Sequence, residues 1–422
     1  MKKSIYLGII ALATLSLASC SKDEVVESVP QQPAIEFGTY LGRDITTRGT
    51  VWNDTAMKEA SAGFGVFAFY TGQKAWASYN TTPTAPNFMY NQNVEWVGSA
   101  WTYSPKKYWP ATQAGADADK ITFFAYAPMA STSNGLAVSA KGATGTPTVT
   151  YTIDNTNLDK MADFVADALI DETKKATDSD ALNNVNEPVV FTLNHELTRV
   201  NITAQLDKTT WNDSAAADKT KVNIKSIKFY GPGFATSGTY TFASINDVTS
   251  SGTTTVNRGS WSYTPEGDTK TEFLDLNNAN FVNWTVDDDL ANVDYTEKGV
   301  FVTSTTATAL FKTYNDSNNN QYLFLIPPYG SNGVNESAGK GVYMDIKYDI
   351  VTVDTELDGK YSCTPATKRI VLPNGTLKQG VAYTFNLIFG MNEITLSATV
   401  DGWNDPATGL DEDVDYDDTD IY

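Results

Sequence analysis

The chain has 422 residues, with 30 Lys and Arg against 50 Asp and Glu, a net charge of −20 and a pI near 4.4. A surface of that sign repels phosphates and argues against nucleic acid as a partner. The length exceeds what one hydrophobic core ordinarily organises, so two domains are expected.

In chain order, Lys2 and Lys3 form a positive opening and Ile5 to Leu17 a short apolar run. That combination has the form of a secretory signal peptide, too short for a membrane span. It closes in Leu17-Ala18-Ser19-Cys20, which resembles a bacterial lipobox with Cys20 as the lipidated (palmitate-bearing) first residue of the mature protein. Ser21-Lys22-Asp23-Glu24 resembles the tag that sends some lipoproteins of Gram-negative anaerobes to the outer face of the outer membrane. Once Cys20 is acylated, Cys363 stands alone, so no intramolecular disulfide framework or cysteine metal cluster is expected. Ser21 to Pro33 is polar and acidic, a stalk between lipid and fold.

Ile35, Phe37, Thr39 and Leu41 share one phase of a period-two alternation, with Glu36, Gly38 and Tyr40 on the other. That is a half-buried strand. Arg43 and Arg48 follow in polar, glycine-containing surroundings, where an exposed arginine invites proteolysis. Two readings stand: an ordinary first strand before a surface loop, or a strand that leaves after a cut and opens a sheet edge to another molecule.

Phe64 to Tyr70 and Ile121 to Tyr126 are apolar on both phases and predict central buried strands. Val94 to Tyr103 predicts a hairpin with Gly98-Ser99 as its loop, pairing Trp96 with Trp101 and Val94 with Tyr103. Lys160 to Ile170 fits either a helix or a strand, since its apolar set does not separate the two periods. Val189 to Leu197 carries its apolar phase on odd numbers, and Val200 to Leu206 on even ones. The slip near Thr198-Arg199 predicts a bulge or a crossing between sheets. His195, the only histidine, lies on the apolar phase and is expected to be an interior residue, not a base.

The polar run Lys208 to Lys221 marks the expected domain boundary. Beyond it, Val222 to Tyr230, Tyr322 to Ile326, Met344 to Ile350, Val381 to Phe389 and Ile394 to Val400 predict further strands. From Asp401 to Tyr422 there are nine acidic residues and no basic one, the composition of a solvated tail. Asp411, Asp413 and Asp415 have the spacing of calcium ligands but lack the glycine of an EF-type loop. The expected fold is all-β, two tandem β-sandwiches with few short helices.

Several of these segments together resemble the fimbrillins, subunits of type V pili, and within them the Mfa-like branch. The match comprises the lipobox, Ile35-Glu36-Phe37, Thr47-Arg48-Gly49, the Asn93 to Tyr103 hairpin with Lys107-Tyr108-Trp109-Pro110, and Phe123 to Tyr126. It continues through Asn194-His195-Glu196-Leu197-Thr198-Arg199-Val200, Leu325-Ile326-Pro327-Pro328, Gly380 to Tyr383 and Val400-Asp401-Gly402-Trp403. The resemblance implies sandwiches of the transthyretin-like type: 1–19 signal peptide, 20–48 lipidated linker and removable strand, 49–207 and 208–403 the two sandwiches, 404–422 the tail. It also implies export as a lipoprotein, a cut by an arginine-specific protease at Arg48 (alternatively Arg43), and loss of the strand bearing Ile35, Phe37 and Leu41. A neighbouring subunit then fills the groove. The donor in stalk subunits is the C-terminal region, here Val414 and Tyr416, but Leu410 to Tyr416 alternates weakly and is heavily acidic. A stalk role and a tip or accessory role therefore both stay open.

One histidine, no nucleophile elbow, no phosphate loop and no metal-spaced His/Cys set leave catalysis without support, and no cofactor, metal or catalytic residue is expected. The rival function is a surface glycan-binding lipoprotein, for which nine Trp and 22 Tyr supply possible platforms. Asp54-Thr55-Ala56 and Asp213-Ser214-Ala215 resemble an O-glycosylation sequon of such anaerobes.

Overall fold

A strand that is apolar on both faces needs cover on both sides, and the layering of the sheets supplies it. The computed structural model describes residues 34–41, 57–58, 63–110, 118–155, 158, 161–174, 188–211, 219–244, 248–250, 253–255, 258–265, 272–281, 283–285, 290, 293–311, 322–336, 339–391, 393–401 and 403.

The chain begins with β1 (Phe37–Tyr40), β2 (Phe64–Gly72), the single helical turn α1 (Trp76–Tyr79), β3 (Met89–Val97), β4 (Ala100–Thr102) and β5 (Lys120–Ala127). Next come β6 (Leu136–Val138), β7 (Thr148–Thr152), β8 (Val165–Thr173), β9 (Val189–Thr192), β10 (Asn194–His195) and β11 (Thr198–Leu206). The second half opens with β12 (Thr220–Tyr230), β13 (Ser237–Thr241), β14 (Val248–Ser250), β15 (Thr253–Thr255), β16 (Ser260–Ser262) and β17 (Glu272–Leu276). It continues through β18 (Val300–Val302), β19 (Thr308–Ala309), β20 (Leu323–Leu325), a 3-10 turn (Gly330–Asn332), β21 (Tyr343–Val353), β22 (Tyr361–Val371), β23 (Ala382–Phe389) and β24 (Ile394–Asp401). The fold is all-β, as expected.

The central layer of the first half is a six-stranded sheet in the order β10-β8-β5-β2-β3-β4. One face, carrying Phe64, Val66, Ile121, Phe123 and Val165, is covered by β1 and β9. The opposite face, carrying Phe67, Phe69, Phe124, Tyr126 and Phe164, joins a larger core with Tyr151, Tyr240 and Phe242. This double cover is why the segments around β2 and β5 are apolar on both phases. The hairpin forms as predicted, with Trp96 opposite Trp101 and their rings T-shaped at 5.4 Å.

The ambiguity at Lys160 to Ile170 resolves to a strand. From Val165 the chain pairs with β5, sending Ala166 and Ile170 into one core and Val165 and Leu169 into the other. Apolar residues on both faces erase the period-two signal, which is why a helix remains open on sequence alone. The phase slip near Thr198 is a crossing between sheets. β9 pairs with β1, β10 with β8, and β11 with β23, β20 and β19.

Two strands of the first half, β11 and β7, pair across the division expected near residue 208. β11 makes all its pairings with later strands, and β7 pairs with β13 in a four-stranded sheet ordered β16-β13-β7-β6. In the second half, the sheet ordered β19-β11-β23-β24 and the sheet ordered β17-β12-β21-β22 direct their apolar phases into one core. Val200, Ile202, Phe385 and Leu387 come from the former, and Ile224, Phe229, Met344 and Ile346 from the latter.

Candidate functional site

The first strand and its groove form the candidate site. Alternation along residues 35–41 turns Ile35, Phe37 and Leu41 inward, where they are 0%, 4% and 4% exposed. Glu36 and Tyr40 face solvent. Phe37 is the hub: its ring centroid lies 6.3 Å from Phe64, 5.2 Å from Tyr103, 5.9 Å from Phe123 and 5.7 Å from Phe191. Edge-on, tilted and stacked ring pairs of this kind add to the gain from burial.

The strand's polar connections are few. It runs parallel to β9, in register from Phe37 opposite Val189 to Tyr40 opposite Thr192. The Val189 N–H donates to Glu36 O at 2.7 Å and the Leu193 N–H to Tyr40 O at 3.0 Å. At the entry, the Ile35 N–H donates to Lys107 O at 2.8 Å, and the Tyr103 hydroxyl donates to Ile35 O at 2.8 Å. The Trp101 indole N–H donates to Thr39 Oγ1 at 3.1 Å. Apart from an isolated bridge between Ala34 and Tyr108, β1 has no strand partner but β9 among the described residues. It therefore fills a core as one half of a two-stranded sheet, outside the larger sheets.

Beside β1 lies a cleft of ≈ 400 Å³ whose lining includes Glu36, Lys58, Trp96, Trp101 and Lys106. The Lys58 ammonium sits 4.8 Å from the Trp96 ring centroid and that of Lys106 4.6 Å from the Tyr103 ring. The aromatic faces hold both cations at the rim. Burial, with the Glu36 charge adding to it, holds the Tyr103 phenol above its usual pKa, so it stays a hydrogen-bond donor to Ile35 O.

A second constellation lies where the two halves meet, in the segment Asn194 to Arg199. His195 is buried, with Nδ1 2.9 Å from Asp163 Oδ2 and its ring 4.2 Å from that of Trp403. The Arg199 guanidinium stacks 4.6 Å from the Tyr322 ring and 5.2 Å from that of Trp403. Glu196 Oε2 accepts from Gln379 Nε2 at 2.5 Å, and its carbonyl accepts from the Trp261 indole at 2.7 Å. These contacts tie Asp163 and β10 to the chain's last described residue. The geometry is that of a structural clamp, and His195 is the interior residue expected. A cleft of ≈ 780 Å³ adjoins it, lined in part by Arg258, Trp261, Tyr263, Tyr329 and Gln379. The Tyr263 hydroxyl donates to Pro327 O at 3.0 Å and that of Tyr329 to Pro232 O. Those polar ends serve the fold.

Of the residues singled out from sequence, Ile35, Phe37 and Leu41 come together in the groove. Cys20, Arg43, Arg48, Val414 and Tyr416 lie outside the described residues, as do Asp411, Asp413, Asp415 and the two sequon-like triplets. Sequence reasoning missed Phe191, Lys58 and Lys106 as groove residues. Only the alternation of Val189 to Leu197 pointed toward the first of them. Among the described residues no three His, Cys, Asp or Glu side chains gather as metal ligands, and no helix is long and apolar enough to cross a membrane.

No family model matches the sequence. It is 31% identical to the fimbrium subunit Fim1C of Phocaeicola vulgatus over 414 residues, 94% of this chain and 96% of that protein. The crystal structure of a fimbrial protein from Bacteroides vulgatus is similar at a TM-score of 0.64 and 28% identity. That similarity covers 88% of this chain and 99% of the other.

Proposed function

The chain belongs to the fimbrium subunits, the fimbrillins, and from that membership we propose how it is exported, activated and assembled. It is a structural component of cell-surface fimbriae, supports adhesion and performs no catalysis. Cys20 carries the lipid that anchors the exported subunit in the outer membrane. An arginine-specific protease cuts after Arg48, with Arg43 as the second choice, and residues through β1 depart. A strand from a neighbouring subunit fills the vacated groove, and the region of Val414 and Tyr416 is the candidate donor. Because donor and groove occupy different parts of the molecule, the contact is heterologous and propagates as an open filament.

The observation that carries this reading is the isolation of β1. Three large apolar side chains are buried, yet among the described residues the strand pairs with β9 alone over Phe37 to Tyr40. Burial contributes about 1.5–3 kcal/mol for each large side chain, so departure leaves several kcal/mol to be recovered by a replacement. No other pairing in the six-stranded sheet is broken when β1 goes.

The test is to incubate the purified mature chain with an arginine-specific protease and follow mass and N-terminal sequence. A cut at Arg48 or Arg43, loss of the preceding segment and ladder-like multimers are expected. A chain that keeps its first strand and stays monomeric overturns the reading.

A further inference from the structure

A sheet edge presents backbone N–H and C=O groups to solvent, and so can recruit a strand from another molecule. Among the described residues, β4, β6 and β16 end their sheets with three residues each, β17 with five and β24 with eight. β22 ends its sheet with eleven, beside β21. Ser362 to Pro365 and Thr367 to Arg369 are exposed, so residues of both phases meet water and the strand overhangs the core. It is pinned near its ends instead. The Arg369 guanidinium binds both Asp345 carboxylate oxygens, at 2.6 and 2.7 Å, and the Tyr361 ring lies 5.4 Å from that of Tyr295.

Pro365 stands in the middle of this strand, opposite Asp349, and the ladder with β21 runs through it from Tyr361 to Val371 without a register shift. Proline has no N–H to give, so an unbroken ladder requires its nitrogen to face away from β21. The alternation of an antiparallel ladder then turns the N–H groups of Tyr361, Cys363, Thr367, Arg369 and Val371 toward the open edge as well. We propose that β22 is a surface for sheet extension by β22 of a second copy, and that Pro365 keeps it closed. Two such strands pair antiparallel about a two-fold axis at Ala366, with Pro365 of each copy opposite Thr367 of the other. In that register the central bond is withheld twice, once by each proline, and each ring stands where the incoming backbone must approach. Sliding the strands until Pro365 reaches the end of the overlap sets Lys368, or one step further Arg369, opposite its own counterpart. Like charges directly opposite oppose that escape. In a fimbrium many copies lie close together, and an open edge of this length on every subunit would join filaments sideways.

The experiment uses the full mature chain, expressed without its lipid and with its first segment in place, so the outcome does not depend on proteolysis or on filling of the groove. Sedimentation over a range of concentrations and hydrogen exchange compare wild type, Pro365→Thr and Pro365→Thr/Thr367→Pro. Wild type is expected to stay monomeric, with the amides of Cys363, Thr367 and Arg369 exchanging as open-edge groups. Pro365→Thr restores one donor per copy, two per dimer. It is expected to self-associate about 30-fold more tightly than wild type, with the same three positions protected in the dimer. The double variant places a proline back in the central pair and is expected to return to wild-type behaviour. Pro365→Ala restores the N–H with the smallest side chain and decides the matter should threonine disturb the strand. Variants that regain the N–H yet stay monomeric, or dimerise with those amides still exchanging freely, overturn the proposal. So does a double variant that dimerises as tightly as Pro365→Thr.

Discussion

Two parallel strand pairs hold the two ends of this chain, and they differ in what surrounds them. β23 runs parallel to β11 from Ala382 opposite Arg199 to Phe389 opposite Leu206, with β24 on its other side. β1 runs parallel to β9 over four residue pairs and has no second strand neighbour among the described residues. Both strands bury their apolar phase completely. Removing β23 would split a sheet and open the largest core, whereas removing β1 uncovers one face and leaves every other ladder intact. The two strands are equally buried, so what separates them is how many ladders their removal would break.

That contrast can be broken by substitutions read on the intact chain and again after removal of the first segment. The largest effect is expected from Phe385→Ala in β23, about 3–5 kcal/mol of stability by urea unfolding. It should be equal before and after processing, because Phe385 is fully buried between sheets that both forms retain. Phe37→Ala should cost the intact chain about 3 kcal/mol and the processed chain nothing. A cost that persists after processing would show that β1 had not left. At the junction between the halves, His195→Ala strips the Asp163 carboxylate of a buried partner. It is expected to cost about 2 kcal/mol in both forms by the same measurement. Trp101→Phe sharpens the contrast at finer scale. Loss of the indole bond to Thr39 should cost about 0.5–1.5 kcal/mol in the intact chain only. The smallest effect is expected at Lys228, which contacts Glu272 at 2.7 Å and Asp275 at 3.0 Å. All three side chains are about a third exposed, and Lys228→Ala should shift stability by less than about 1 kcal/mol.

Much of the architecture is legible along the chain because strands announce themselves locally. The alternation of Val381 to Phe389 and of Ile35 to Leu41 names the inward residues, and turn residues locate the Trp96–Trp101 hairpin. The candidate strand itself falls in this class. Its surroundings do not: Phe64, Phe123 and Phe191 reach Phe37 from three separate strands, and nothing in their own segments says they share a neighbour. The basic rim is equally hidden, since Lys58 and Lys106 stand far apart in sequence among many other lysines. β8 stays ambiguous for a different reason, because cover on both faces removes the alternation that would reveal it.

Local pattern thus determined the all-β class, the inward phase of most strands, the burial of His195 and the identity of the strand at the groove, because period-two alternation is a property of consecutive residues. Tertiary structure alone decided which strands pair, that β1 runs parallel to β9, and that β11 and β7 reach past residue 208 for their partners. Pairing joins residues distant in sequence through backbone groups common to all of them, so side-chain order carries no record of it.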